Sequence, residues 1–181
     1  MLLLKPFRRI IAFNLKGENA LDSNERRLLI ENYSRKTYVL TEHLRQFPRE
    51  MWDFKPDDAH WCIREILWHI LDIEMHGYLR FRTALAEPGS TVSAPEQDLW
   101  AKQIGYARLD ADDAVEGIVW VIKTNGKLLK TLLEPDFNKS VTHPEYGKLN
   151  LDQLLERHHK HIQHHMDQMT HRLNEWNAKK N

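Results

Sequence analysis

Residues 149–176 read LNLDQLLERHHKHIQHHMDQMTHRLNEW, and the spacing of their apolar side chains predicts a long amphipathic helix. Asn150 is a favourable N-cap, and Gln153 occupies the capping-box position three residues later. The apolar residues recur at intervals of four and seven, which places them on one face of a helix: Leu151, Leu155, Ile162, Met169 and Leu173. We therefore expect a helix from Asn150 to about Trp176.

Three other segments show the same periodicity, and glycine and proline, seven of each, cluster between them. The three predicted helices run from about Ser23 to Arg45, from near Trp61 to about Leu85, and from after Asp110 to before Pro135. The third could kink at Asn125-Gly126. In the link at 88–110, the segment DLWAKQIG is predicted to form a short helix. No segment of the chain shows the alternation of apolar and polar residues that is typical of a strand. Together these features predict an all-α four-helix bundle with a long connection between helices 2 and 3.

A chain of 181 residues fits one domain. We assign residues 1–22 to an N-terminal extension and residues 23–178 to the bundle. The start, MLLLKPFRRIIAFNL, is interrupted by Lys5, Arg8 and Arg9, which favours a short amphipathic helix packed on the body over an export signal. No apolar run approaches the roughly 18–20 residues that cross a bilayer, so we expect a cytoplasmic protein.

The charge balance and the cysteine count exclude several classes of protein. Lys plus Arg and Asp plus Glu number 26 each, which argues against a general binder of nucleic acid or acidic membranes. Cys62 is the single cysteine, so the chain can form neither an intramolecular disulfide nor a cysteine-rich zinc site. Trp100, Trp120 and Trp176 fit a homodimer interface or an ordinary core equally well.

Six of the eleven histidines fall between positions 158 and 171. His161 and His165 lie four residues apart on one helix face, where two imidazoles can converge on a metal ion, although solvated histidine-rich faces are also common. A third ligand must come from another helix. His69, between Ile66 and Ile73, is the best candidate, and a core-edge histidine is the alternative. His76 could likewise be a ligand or merely polar.

The segments WCIREILWHILDIE (61–74) and HPEYGKLNLDQLLERHHKHIQHHMDQM (143–169) together resemble the DinB-like superfamily, which includes the YfiT-type proteins. The resemblance covers roughly residues 24–176. It rests on this ordered set: Trp61, His69, Pro144, Gly147, His161, His165 and Gln168. It implies a four-helix bundle with a divalent metal, commonly zinc or nickel, held by His69, His161 and His165, and often a dimer. Cys62 departs from the family's usual serine or threonine cap, and we interpret it as structural.

Three neutral imidazoles leave at least one metal coordination position open, as in catalytic zinc sites. Relatives implied by the resemblance include hydrolases and transferases that use a low-molecular-weight thiol. The leading hypothesis is therefore an enzyme whose metal activates such a thiol, or water, for attack on a small electrophile. The alternatives are a non-catalytic metal-binding or stress-associated protein and a metal-free scaffold. Loose metal buffering would use the remaining histidines of the run: His158, His159, His164 and His171.

The sequence assigns no catalytic residue, but several polar side chains flank the predicted ligands. Asp72 and Gln168, each one turn from a ligand, could fix ring tautomers, or could be merely exposed or fill a polar gap. Glu74 points away from His69 and is interpreted as an ion-pair partner before a general base. Arg80 and Arg82 could bind an anionic substrate, although such residues are more often solvated.

Overall fold

The computed structural model describes residues 21–180, so the predicted N-terminal helix within residues 1–15 lies outside the described residues. Five α-helices and two strands follow one another along the described residues, with short 3-10 and π-helical turns between some of them: α1 (Ser23–Leu44), α2 (Ile63–Ala86), α3 (Gln97–Trp100), α4 (Ala111–Leu129), β1 (Ser140–His143), β2 (Gly147–Asn150) and α5 (Leu151–Lys180). The four long helices confirm the predicted bundle, and the 88–110 link confirms its long connection.

Side-chain caps fix where the helices begin. The Asp22 carboxylate accepts hydrogen bonds from the backbone N–H of Asn24 and Glu25, each at 2.8 Å, and Glu25 accepts from the Asp22 N–H at 3.1 Å. The predicted capping box of the last helix is confirmed, since Asn150 and Gln153 exchange reciprocal bonds of 3.0 and 2.9 Å. These contacts satisfy N–H groups that have no partner in the first helical turn.

Helix packing joins elements that are not neighbours in sequence. α1 and α2 each pack against both α4 and α5, so consecutive helices α1 and α2 face each other across the bundle. Between them lies a continuous apolar core that includes Tyr33, Leu40, Ile66, Ile118 and Ile162. This arrangement brings α2 alongside α5, the two helices that carry the predicted ligands.

The Asn125-Gly126 pair serves packing and does not end or divide α4. A Cβ atom added to Gly126 would overlap the Ser34 hydroxyl, so glycine permits the close approach of α1. Asn125 is fully buried and donates to the Tyr33 hydroxyl at 3.3 Å. The pair thus allows a tight contact between α4 and α1 within a continuous helix.

A short hairpin, which the sequence did not predict, precedes α5. β1 and β2 pair antiparallel from Ser140 opposite Asn150 to His143 opposite Gly147, where φ is 69°. Each strand has four residues, with Val141 and Leu149 buried, so the alternation is too short to stand out from a loop.

The 88–110 link crosses the bundle surface and reaches this hairpin. Val92 donates its backbone N–H to Thr142 at 3.0 Å. The predicted short helix is present as α3 followed by a π-helical turn at Ala101–Gly105. Within residues 21–180, no helix combines the length and hydropathy needed to cross a membrane. Of the three tryptophans considered for a dimer interface, Trp120 is 55 % exposed.

Candidate metal centre

Three imidazole rings meet between α2 and α5. Nε2 of His161 lies 3.0 Å from Nε2 of His69 and 3.0 Å from Nε2 of His165. All three candidate ligand atoms lie within 4.8 Å of one another. The four-residue spacing sets the two α5 rings side by side, and the packing of α2 supplies the third. The structure thus brings together the three residues that the sequence nominated.

Burial keeps these rings neutral. His69 and His165 are buried, and the Trp61 ring packs 4.9 Å from that of His69. Desolvation lowers the pKa of His165 to about 4. Desolvation, reinforced by the neighbouring imidazoles, lowers the pKa of His69 and of His161 well below the ordinary value. A neutral imidazole keeps the lone pair that a metal ligand needs.

Gln168 sets the tautomer of His165. Its Oε1 lies 2.8 Å from Nδ1 of His165. Because an amide oxygen only accepts hydrogen bonds, Nδ1 carries the proton and the lone pair lies on Nε2, which faces the other two rings. This is the position that the sequence proposed for Gln168.

The three rings cannot satisfy one another with hydrogen bonds alone. Nε2 of His161 has two nitrogen neighbours but at most one proton to donate, and its Nδ1 is buried without a hydrogen-bond partner among the described residues. A tetrahedral zinc ion, with Zn–N distances of about 2.0–2.1 Å, would separate its ligand nitrogens by about 3.3 Å. The two spacings from His161, both 3.0 Å, are close to that value, and the third lies within 4.8 Å, so the donor set fits a divalent ion such as zinc or nickel.

Among residues 21–180, Asp72 forms no hydrogen bond with a ring of the cluster and is bonded instead to Tyr106. Its carboxylate accepts a short hydrogen bond from the Tyr106 hydroxyl, and burial raises its pKa. Tyr106 lies in the 88–110 link. Helical spacing does not predict where this link crosses α2. The contact anchors the link to α2 beside the site.

Glu74 and His158 form a buried pair one layer below the cluster. Glu74 is fully buried, and its carboxylate accepts from the Tyr33 hydroxyl at 2.6 Å and lies 3.0 Å from Nδ1 of His158. A Cβ atom added to Gly77 would overlap the His158 ring, so glycine at this position allows α5 to pack closely against α2. A glycine inside a predicted helix was the feature of the sequence that could have indicated this close packing. His158 is thus enclosed and unavailable for loose metal buffering.

A pocket opens beside the cluster on the side of the link. Its lining residues come from the loop before α2, from the link and from α5: Ala59, Trp61, Gln97, Asp98, His164, His165 and Gln168. Sequence reasoning had not assigned Gln97 or Asp98 to the site, because the fold of the link was unknown. His165 and Gln168 thus lie in the wall of a pocket beside the histidine cluster.

Cys62 lies at the start of α2 and has a structural role. Its backbone N–H donates to Glu65 Oε2 at 3.0 Å, and the residue is 1 % exposed. Burial raises the pKa of its thiol to about 11. Because the thiolate is the nucleophile, this cysteine is unreactive at neutral pH.

The metal-free protein is expected to lose stability as the pH falls from about 6.5 to about 4. Burial lowers the pKa of four histidines to about 4: His76, His143, His159 and His165. In this window the unfolded chain binds more protons than the folded chain, so the unfolding free energy decreases with falling pH. Urea unfolding midpoints across the window measure the effect. His165→Gln should reduce the slope and the exposed His171→Gln should not; equal slopes would contradict the assignment.

Comparison with known proteins gives three findings. The chain matches the sequence model of a family described as the DinB superfamily over residues 32–169. Proteins of Bacillus cereus strain 03BB102 and Bacillus anthracis strain CDC 684, both named "Putative metal-dependent hydrolase", are 26% and 25% identical over 131 residues, covering 72% of this chain and 75% of theirs. A solved structure of YfiT from Bacillus subtilis, described as "a probable metal-dependent hydrolase with an unusual four-helix bundle topology", has a TM-score of 0.82 and 18% identity, covering 90% of this chain and 93% of that one.

Proposed function

The chain belongs to the DinB superfamily, and on that premise we propose that it is a metal-dependent enzyme acting on a small electrophile. His69, His161 and His165 would hold a divalent ion, zinc or nickel. When bound, such an ion lowers the pKa of a coordinated water or low-molecular-weight thiol and so generates a nucleophile near neutral pH.

The observation that carries the proposal is the convergence of three neutral Nε2 atoms at the edge of a pocket. No carboxylate belongs to this group of ligand atoms within residues 21–180. Neutral ligands leave the charge of an ion uncompensated, and three ligands leave a position for a small molecule. The related proteins named as metal-dependent hydrolases support water as the nucleophile.

The chain's own residues position the ligands and handle protons. Gln168 holds His165 in the tautomer whose Nε2 faces the cluster. Trp61 packs on His69 and excludes water from one side of its ring. We propose Asp98, an exposed residue in the lining of the pocket, as the carboxylate that accepts a proton from an incoming water or thiol.

The test is turnover by protein purified without a histidine tag and loaded with zinc or nickel. A panel of small esters, amides and alkyl or epoxide electrophiles is assayed with and without a low-molecular-weight thiol, following product release and thiol consumption separately. Metal-dependent turnover without thiol identifies water as the nucleophile, and turnover only with thiol identifies a transferase. Equal rates for wild type and His161→Ala would contradict the proposal.

The alternative is a non-catalytic metal-binding or stress-associated protein. It predicts several weakly bound ions held by the histidine run. Because His158 is paired with Glu74, fewer rings are free for such binding than the sequence suggested. Metal titration discriminates the two, since the enzyme requires one tight site per chain.

A further inference from the structure

Arg80, near the C-terminal end of α2, is a buried arginine without a carboxylate partner. Only 7 % of its surface is exposed. One nitrogen, Nη2, donates to the backbone oxygen of Ser93 at 2.6 Å, while Nε is buried with no hydrogen-bond partner. Within residues 21–180, no carboxylate oxygen lies within the 4.0 Å that defines an ion pair with its guanidinium. The positive charge therefore lacks a direct counter-ion.

The other buried arginines of the described chain have such partners. Arg26 is 5 % exposed and forms two 2.7 Å bonds with the carboxylate of Asp152. Arg172 is 3 % exposed and pairs with Glu175. Both of these buried guanidinium groups contact a carboxylate, so Arg80 differs from them in having no such partner.

Leaving this charge unpaired opposes folding. Removing a guanidinium from water is unfavourable unless an anion or a set of acceptors replaces the water. Burial, followed by the nearby charge of Arg157, lowers the pKa of Arg80 to about 10, so it stays charged at neutral pH. A group that carries such a cost and lacks a partner within the chain is suited to bind an anion.

Three imidazoles lie near this charge, since Arg80 and His158 both act electrostatically on His76 and on His143. We call this group the Arg80 cluster: His76, Arg80, His143 and His158. Nδ1 of His76 lies 3.2 Å from the hydroxyl of Ser93, the residue whose carbonyl accepts from Arg80. His143 and His158 are 5 % and 3 % exposed, and they come from β1 and α5. Hydrogen bonds between the link and β1 close this region, because Thr142 N–H donates to Ser90 at 2.9 Å.

The nearby acidic groups do not contact the guanidinium of Arg80 directly. Glu74 is engaged by Tyr33 and His158. Glu145 is exposed at the tip of the hairpin. Burial lowers the pKa of His76 and of His143 to about 4, so at neutral pH these rings are neutral hydrogen-bonding groups beside a fixed cation.

We propose that the Arg80 cluster binds an oxyanion, the carboxylate or phosphate group of a small molecule lying between α2 and α5. A guanidinium presents two donors in a fork that matches either anion. His143 accepts from the Glu145 N–H through Nδ1, so its Nε2–H can add a further bond, whereas the N–H of His158 is held by Glu74. Arg80 is eleven residues from His69, about 16 Å along the helix. The proposal does not depend on the metal-dependent function, because no group of the histidine triad takes part.

The test compares Arg80→Met with Arg82→Met in metal-free protein, using inorganic phosphate and malonate as probes. Arg82 is a matched control on the same helix, because its guanidinium is already bonded to Tyr78 and Asn125 at 2.9 and 3.2 Å. Thermal unfolding and calorimetric titration are run at matched ionic strength against chloride. Wild type and Arg82→Met should be stabilised by at least one probe, whereas Arg80→Met should bind it about tenfold or more weakly, as expected for the loss of charge-assisted hydrogen bonds.

In chloride alone, Arg80→Met should unfold at a temperature no lower than wild type, because a buried unpaired charge has been removed. A response to phosphate alone or to malonate alone identifies which oxyanion is bound. An unchanged anion response in Arg80→Met overturns the proposal. So does the absence of any anion response in wild type, which would leave Arg80 as an anchor for the link through Ser93. Since no metal is present, none of these results depends on the function of the triad.

Discussion

His161→Ala is expected to abolish tight binding of zinc or nickel, reducing about one equivalent per chain to none. His161 is the central ring of the triad, because its Nε2 lies 3.0 Å from Nε2 of both His69 and His165. Removing it leaves two nitrogens, one on each helix, too few for a closed or catalytic site. Plasma mass spectrometry of protein purified without a histidine tag measures the bound metal, and competition with a chelating dye measures its affinity.

Two further variants on the same helix make this result specific. Gln168→Ala keeps all three rings but removes the partner of His165, so affinity should fall by about 10- to 100-fold, less than in His161→Ala. His171→Ala removes an exposed ring and should leave the tight site unchanged. Metal buffering would be supported instead if His161→Ala still bound several metal ions weakly and His171→Ala bound fewer.

Glu74→Ala is expected to lower the free energy of unfolding by about 3–5 kcal/mol, a large share of the total stability of a domain of this size. The Glu74 carboxylate is fully buried and bonds to Tyr33 from α1 and His158 from α5. Asn125 of α4 joins the same network through the Tyr33 hydroxyl, so all four long helices contribute. Truncation would leave these buried polar groups without an acceptor and would create a cavity.

Urea unfolding followed by circular dichroism measures this loss. Glu74→Gln keeps the shape and one acceptor oxygen, so it should be less damaging than Glu74→Ala. Glu116→Ala removes an exposed carboxylate on α4 and should change stability by less than about 0.5 kcal/mol. A Glu74→Ala variant as stable as Glu116→Ala would show that the network contributes little to folding.

The parts of the fold predicted from sequence are those controlled by contacts within one or two helical turns. The capping box at Asn150 and Gln153 was readable because both partners lie in one short segment. The side-by-side rings of His161 and His165 followed from helical spacing in the same way. His69 was chosen as the third member from its position between Ile66 and Ile73 on the second helix. The resemblance to the DinB superfamily, confirmed by the family match over residues 32–169, implied the same three histidines.

Several other contacts between distant segments were not predicted from the sequence. Asp72 was expected beside His69, but the link brings Tyr106 to it. The β1–β2 hairpin was not predicted because four residues are too few to show a strand pattern, and the strands are recognisable only from their pairing. Arg80 was expected to be solvated more often than not, and only the packing of the link and the hairpin shows that it is enclosed.

The sequence by itself determined four amphipathic helices, most of their boundaries and the histidines that share a face, because periodicity and capping act over a few residues. The tertiary structure decided which faces meet: His69 with His161 across 92 residues, and Glu74 with His158 across 84. Helical spacing fixes the direction in which a side chain points from the axis of its helix. What that side chain contacts depends on how the helices pack and on the path of the connecting segments.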